Sequence, residues 1–509
     1  MRILIFHGYL LRGTGSNVYN ASLVQALVRL GHEVHLLCQD REAGSLPFVD
    51  AVGRWDHGAL SVEAIREPAR CTAYLPDIGE TLPVYVADEY EGFRARPYPD
   101  LSDDEVENYI AANAAAVRDV AARAAVEVGL ANHLVMGPVI LARGLDAPYA
   151  VKVHGSALTY TVAPHRERFL PYAREGLARA RAVLVGSRHT AEGLWEVMDD
   201  AELPGKTRLG PPGVDADAFV QRPRDEAAKR LAALADRIGA VAAAGWGGEA
   251  GGADALRALD PEREQIVSFV GKLIVSKGVD LLVAAWPLVA SEVPNARLCM
   301  VGFGTYREGI ERLATALRAG DLDAAREIAL RGRELEGGPP GELRYLTAFL
   351  DSLEGERRDG YRAAAKHGLG RIHFTGRLEH SDLPDLLAAC DAQVVPSTWP
   401  EAFGMVAAEA ASCGALPVSA AHSGLAEVSA ALAEALPADL RPLLSFELGP
   451  TAVEDIADRL VRWLQLDPAR RRDASHALSD LARERFSWDV VAGGVIAAAQ
   501  GRLDALPHP

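Results

Sequence analysis

Cysteine is scarce in this 509-residue chain: there are five, Cys38, Cys71, Cys299, Cys390 and Cys413, scattered and never spaced as Cys-x-x-Cys. Their odd number and scatter argue against a disulfide framework and against a zinc site, and they read as reduced, buried thiols in a cytoplasmic protein. Positive charge is also short, with 53 Lys and Arg against 70 Asp and Glu and a net charge of −17. A nucleic acid or an acidic membrane is therefore not expected as a general partner. No apolar run reaches the length that spans a bilayer, so no integral membrane contact is expected. The opening MRILIF has one basic residue and runs directly into turn residues, which makes it a first strand rather than a signal peptide. Internal repeats and long blocks of like charge are absent. The full Gly-x-Gly-x-x-Gly fingerprint is missing as well, and Asp40 is the one acidic residue near the end of the second predicted strand. A nicotinamide-dependent dehydrogenase is a poor fit.

What remains is a globular composition, 49% hydrophobic, in a chain longer than one core usually serves, so two domains are expected. The apolar run at residues 2–6 leads into the loop HGYLLRGTGSN, then into a helical spacing (Val18, Leu23, Ala26, Leu27, Leu30) that stops at Gly31. EVHLLCQ is a second strand. Strand, Gly-rich loop, helix and strand form a βαβ unit, which requires a parallel sheet with helices on its faces. The alternation continues through HLVMG, YAVKVHG, a long helix at 164–180 and RAVLVGS. It starts again at Gln265 with QIVSFVGKL, GVDLLVAAWPLVA, RLCMVGFG, RIHFTG, AQVVPS and ALPVSA. The predicted class is α/β, with two doubly wound Rossmann-like domains facing across a cleft, where ligands of such sheets bind. The expected division is 1–215 and 265–485, joined by a linker at 216–264 that contains the Ala/Gly-rich AAAGWGGEAGGAD. At the C-terminus, about 486–509, FSWDVVAGGVIAAAQ resembles a helix that in a known two-domain family crosses back to the first domain, and that resemblance implies the same course here. A helical insertion is expected at about 307–368. Arg470–Arg472 reads as a solvated helix face.

Two segments carry chemistry. In Pro400–Gly414, PEAFGMVAAEAASCG, Glu401 and Glu409 stand eight apart around a Phe403-Gly404 turn that opens a helix near Met405. A helix start presents unpaired N–H groups and a positive dipole end, which suits a phosphate. Acceptors on both sides of that anion site suit a sugar nucleotide. An acidic protein that binds a diphosphate needs local positive charge, and VGKLIVSKGVD supplies it with Lys272 and Lys277 around a strand-to-helix loop. His154, followed by Gly155, ends another strand and would point into the cleft.

The Glu401–Glu409 segment resembles the E-x7-E motif of retaining glycosyltransferases with the GT-B fold, in particular family 4, the glycogen-synthase-like enzymes. The resemblance is loose over 1–215 and closer over 265–500 outside the insertion. It implies that Glu401 contacts donor-sugar hydroxyls and Glu409 the ribose, with Phe403, Gly404, Met405 and Val406 forming the turn between them. Gly271, Lys272 and Lys277 match the diphosphate-binding element, although an Arg usually stands where Lys272 is found. Gly376 and Arg377 match the segment that contacts the nucleobase, and SAAHSGLAEV matches the turn after the next strand, with Gly424 near the phosphates and Glu427 in a family-like position. Gly13 and Gly15 match an N-terminal loop near the diphosphate and acceptor. His154 resembles a histidine that contacts the donor sugar near the reacting centre. Catalytic roles thus fall on His154, Lys272, Lys277 and Glu401.

The activity implied is transfer of a sugar from a nucleoside-diphosphate sugar, UDP before GDP, to a hydroxyl on an acceptor that the sequence does not identify. Retention would arise by front-face attack, with no cofactor and no metal. Asp215-Ala-Asp217 is read as part of a Pro-x-Gly-Val-Asp turn and not as a metal-binding DxD. The alternatives are a nucleotide-sugar epimerase or phosphorylase of the same fold, or a catalytically silent scaffold.

Overall fold

Local apolar periodicity builds the first sheet directly. In β1 (Arg2–Phe6) every residue after Arg2 is buried, and alternate side chains enter different cores. Ile3 and Ile5 pack with Leu23, Val24 and Leu27 on one face, while Leu4 and Phe6 join Val117, Ile140 and Phe169 on the other. The computed structural model describes residues 1–13, 15–85, 93–241 and 251–509. These divide into two units, Met1–Gly213 with Phe486–Pro509, and Val214–Arg485.

Among the described residues, the first unit's main sheet contains β1, β2 (Glu33–Leu37), β3 (Ala51–Asp56), β4 (Ala59–Ala64) and β5 (Cys71–Leu75). A small separate sheet pairs β6 (Thr81–Val84) with β7 (Arg94–Pro97). The main sheet is completed by β8 (Val128–Asn132), β9 (Tyr149–Lys152), β10 (Ala182–Val185) and β11 (Thr207–Leu209). Its order is β11-β10-β9-β8-β1-β2-β5-β3-β4, parallel except for the β3–β4 pair. The direction of winding therefore reverses between β1 and β8. The helix Trp488–Ala499 packs in the same unit, where Trp488, Val491 and Val495 share a core with Ile3 and Leu23.

The second unit's sheet has β12 (Gln265–Val270), β13 (Ala296–Val301), β14 (Ile372–Gly376), β15 (Ala392–Val395), β16 (Leu416–Ala420) and β17 (Ser445–Phe446). Its order is β14-β13-β12-β15-β16-β17, all parallel, with the reversal between β12 and β15. The helix Val279–Glu292 that follows β12 is buried along most of its length, which accounts for the almost unbroken apolar run VDLLVAAWPLVA. The insertion between β13 and β14 holds the helices Arg307–Ala319, Leu322–Arg331, Arg344–Asp351 and Gly355–Gly368. Among the described residues, no helix is long and apolar enough to cross a membrane.

Two expectations need correction. The span 216–264 is not a plain linker: it contains the helices Arg224–Val241 and Gly252–Arg257 and belongs to the second unit. Arg230 and Arg237 of the first of these helices pair with Asp385 and Asp382 of that unit. The 3.6-residue apolar spacing of DEAAKRLAALADRIGAV and its many alanines, the strongest helix formers, both favour the first helix. The most Ala/Gly-rich stretch, 242–250, lies outside the described residues. Arg470–Arg472 also does not form one solvated face. Successive helical residues point about 100° apart, so Arg470 pairs with Asp439, Arg471 is half-buried and Arg472 is exposed.

Candidate active site

The loops at the carboxyl ends of β12 and β15, where the second sheet reverses, bring most of the expected residues together. A turn at Val275–Lys277 follows β12, and the Lys277 ammonium bonds to the Glu401 carboxylate. Ser397 donates its hydroxyl to the same carboxylate oxygen at 2.6 Å. The Glu401 backbone is held as well, its N–H donating to Ser423 Oγ at 2.9 Å and its carbonyl accepting from Gly424 N at 3.0 Å. His422 completes the frame, with Nε2 2.7 Å from the Ser397 carbonyl. Lysine and carboxylate are both fixed, while about a third of each side chain stays exposed to a ligand (31% and 27%).

Glycines let the next turn press against this frame. Gly404 has φ 131°, and a Cβ on Gly424 would fall 2.5 Å from the Phe403 carbonyl oxygen. The helix Met405–Ser412 starts immediately afterwards, so its free N–H groups lie at the carboxyl end of the sheet. Val406 is tied down through its carbonyl, which accepts from Gln393 Nε2 at 3.1 Å. Glu409, only 2% exposed, bonds to His380 Nε2 at 2.7 Å. That bond raises the His380 pKa above its ordinary value; burial opposes the shift, and the charges of Glu409 and Asp215 reinforce it.

A raised histidine pKa stabilises the fold most fully below the unfolded value of about 6.5, and the contribution is lost as pH rises through the folded value. The stability advantage of the wild type over His380→Asn is therefore expected to shrink from pH 6 to pH 9 (about three units spanning the titration), as read by thermal unfolding. A difference that does not vary with pH would show that the pair does not titrate.

The neighbouring strand ends complete the same side of the sheet. Gly271 N donates to the Val301 carbonyl at 3.0 Å and Gly302 N to the Gly376 carbonyl at 2.8 Å. Next to them the Arg377 guanidinium lies 5.6 Å from the ring centroid of Phe303, which is 44% exposed. Lys272 is exposed, with no ion pair among the described residues. Asp215 accepts from the N–H groups of Asp217 and Ala218, closing its own turn at 3.0 and 3.1 Å.

His154, Gly13 and Gly15 belong to the first unit, after β9 and β1 respectively, and Thr14 between the glycines lies outside the described residues. His154 Nε2 is 2.8 Å from Asn132 Oδ1. Asn132 Nδ2 donates to the Phe6 carbonyl at 3.1 Å and to Asn20 Oδ1 at 2.8 Å. Asn20 Nδ2 in turn donates to the Ser16 carbonyl at 2.8 Å and to His7 Nδ1 at 3.0 Å. Because every amide nitrogen in this chain donates, Asn132 Oδ1 must accept, which puts the His154 proton on Nε2 and leaves Nδ1 as an acceptor. Burial, with His133, Lys152 and His7 nearby, holds the His154 pKa well below its ordinary value, so the ring is neutral. Burial also lowers His7 to about 4 and Lys152 to about 7. An imidazole held in one tautomer can accept one hydrogen bond from a hydroxyl, in a defined direction.

The residues that sequence reasoning missed are those that hold the expected ones: Ser397, His422 and Ser423 around Glu401, His380 against Glu409, and Asn132 and Asn20 behind His154. The pairing of Ser397 with Glu401, four apart, is the one locally visible signal among them.

Residues 14–198 match the family described as "Glycosyl transferase 4-like domain", and residues 354–477 match "Glycosyl transferases group 1". The chain is similar to a D-inositol 3-phosphate glycosyltransferase of Segniliparus rotundus, 30% identical over 59% of this chain and 48% of that protein. A protein of the same name from Xylanimonas cellulosilytica is 25% identical over 95% of this chain and 90% of its own length. The chain thus spans about half of the first relative and most of the second. Among solved structures, Anabaena HepE in complex with UDP and glucose matches with a TM-score of 0.53 and 16% identity, covering 98% of this chain and 99% of that one.

Proposed function

Since the chain belongs to the GT-B-fold glycosyltransferases, with a 4-like domain and a group 1 domain, we propose that it moves a sugar from a nucleoside-diphosphate sugar to an acceptor hydroxyl. The observation that carries this reading is the Lys277–Glu401 pair, held rigidly beside the start of the helix Met405–Ser412. In glycosyl transfer the departing nucleoside diphosphate gains negative charge as the glycosidic bond breaks. Donors already aimed at that charge usually supply the largest catalytic term. Here Lys277, Lys272 and the N–H groups of the helix play that part, so the reaction as proposed needs no metal. Glu401 binds sugar hydroxyls, Glu409 the ribose, and Phe303, Gly376 and Arg377 border the nucleobase. UDP is the favoured nucleotide, as in the HepE complex, with GDP next.

Retention follows from front-face attack, in which the leaving phosphate oxygen takes the acceptor proton. His154, through Nδ1, accepts from a donor-sugar hydroxyl and fixes the sugar's pose. The acceptor is a small hydroxyl compound bound by the first unit; the relatives' name makes inositol phosphates the first class to screen.

Calorimetric titration with UDP, GDP and ADP in chelator tests this reading. One nucleotide is expected to bind selectively, and Glu409→Ala to weaken that binding by about tenfold or more, the worth of a charge-assisted hydrogen bond. Absence of binding by all three nucleotides would remove the donor site and favour the scaffold alternative.

A further inference from the structure

A second basic site lies at the opposite end of the same sheet. Asp391 immediately precedes β15 and Gly414 lies just before β16, so this region faces the amino ends of the strands, away from the donor loops. A pocket of about 350 Å³ opens there, lined by Arg222, Arg224, Arg471, Arg472, Asp391 and Cys413 among others. Four guanidinium groups thus share a pocket with one carboxylate, in a protein whose overall charge is −17.

That carboxylate is already committed. Asp391 is 6% exposed, accepts from Ile266 N at 2.9 Å through Oδ2, and pairs with Arg224 through Oδ1. Arg471 lies 3.9 Å from Oδ1 and donates instead to the Leu464 carbonyl at 2.8 Å. Arg222 gives one nitrogen to Glu226 at 2.8 Å, but its Nε is buried with no partner. Arg472 is exposed, and its guanidinium has no ion pair or hydrogen bond among the described residues. Burial, together with Arg224 and Arg472, lowers the Arg471 pKa, and Asp391 only partly offsets this.

Arginines used only as surface salt bridges would each face their own carboxylate, as Arg470 faces Asp439. Here several like charges converge on one carboxylate that is already committed, an arrangement that costs free energy unless an anion enters. The planar guanidinium fork matches phosphate oxygens two at a time. The volume suits a compact ligand at the lower end of the usual range for small-molecule sites.

We propose that this pocket binds a phosphorylated small molecule, with its phosphate gripped by Arg222, Arg471 and Arg472. The site is separate from the donor loops and does not depend on the transferase reading. Its floor, Cys413–Gly414, ends the helix Met405–Ser412, so an occupant touches the far end of the element that carries Glu409.

The test is calorimetric titration of the full chain with inorganic phosphate and with glucose 6-phosphate, on wild type, Arg472→Ala and Lys272→Ala. Saturable binding is expected, tighter for the sugar phosphate, weakened about tenfold in Arg472→Ala and unchanged in Lys272→Ala. Because Arg472 is exposed, its variant is expected to keep the wild-type unfolding midpoint. Two phosphate sites, one weakened by each substitution, would also support the assignment. Absence of saturable binding, binding retained in Arg472→Ala, or binding lost only in Lys272→Ala would overturn it. An organic phosphate that bound no tighter than inorganic phosphate would overturn the ligand class.

Discussion

Lys277→Ala is expected to lower turnover by about tenfold or more while the protein stays folded. The ammonium group bonds to Glu401, and Glu401 is itself held by Ser397, Ser423 and Gly424. Such a lysine needs little reorganisation when a diphosphate departs, and this is what makes a positioned charge more useful than a mobile one. In the proposed reaction, removing it would leave the growing charge on the leaving oxygen without this cation. The loss should therefore fall mainly on kcat, with a smaller effect on donor binding, since Lys272 and the helix N–H groups remain. Lys277→Arg keeps the charge with a different shape and should recover part of the rate. Metal-free initial-rate kinetics, with a circular dichroism check on folding, read all of these. Near wild-type turnover in both Lys277→Ala and Glu409→Ala would sink the assignment.

Gly278→Ala should have a large effect on stability. Gly278 has φ 63° and ψ 25°, a left-handed conformation that costs a residue with a Cβ about 1–2 kcal/mol. The added Cβ would also fall 1.9 Å from the Pro396 carbonyl oxygen, a backbone atom that cannot rotate away. The two loops must separate, which strains the bond from Thr398 N to the Ser276 carbonyl at 2.9 Å. A total loss of about 3 kcal/mol is expected in urea unfolding. Because Lys277 is the adjacent residue, its pairing with Glu401 should loosen too, and turnover of the folded fraction should fall about as far as in Lys277→Ala. Unchanged stability would mean that the loops are not packed this closely, and the rigidity argued for Lys277 would fail with them.

Much of this protein was legible because its signals are local. RILIF announces a buried strand, GVDLLVAAWPLVA a buried helix, and PEAFGMVAAEAASCG a turn, a helix start and two placed carboxylates. Each depends on periodicity and turn chemistry within about a dozen residues, the range over which the backbone obeys its own sterics. The two expectations that required correction were local readings as well. At 216–264 the Ala/Gly-rich AAAGWGGEAGGAD set the reading of the whole span although the apolar spacing of 224–241 is helical, and at 470–472 three adjacent charges were assigned to one face of a helix.

The sequence by itself thus determined the α/β class, the two doubly wound halves, the acidic surface and the identity of the main candidate residues. Only the tertiary structure decided what those residues touch. Lys277 meets Glu401 across 124 residues, Asn20 meets Asn132 across 112, and His380 meets Glu409 across 29. It also decided that four arginines from two distant segments share one pocket. The physical reason is strand order. A parallel sheet collects at one edge loops that are far apart in the chain, and where its winding reverses, two such loops separate and leave room for a ligand. Spacing along the chain carries no record of that meeting, because it is set by which strands pair.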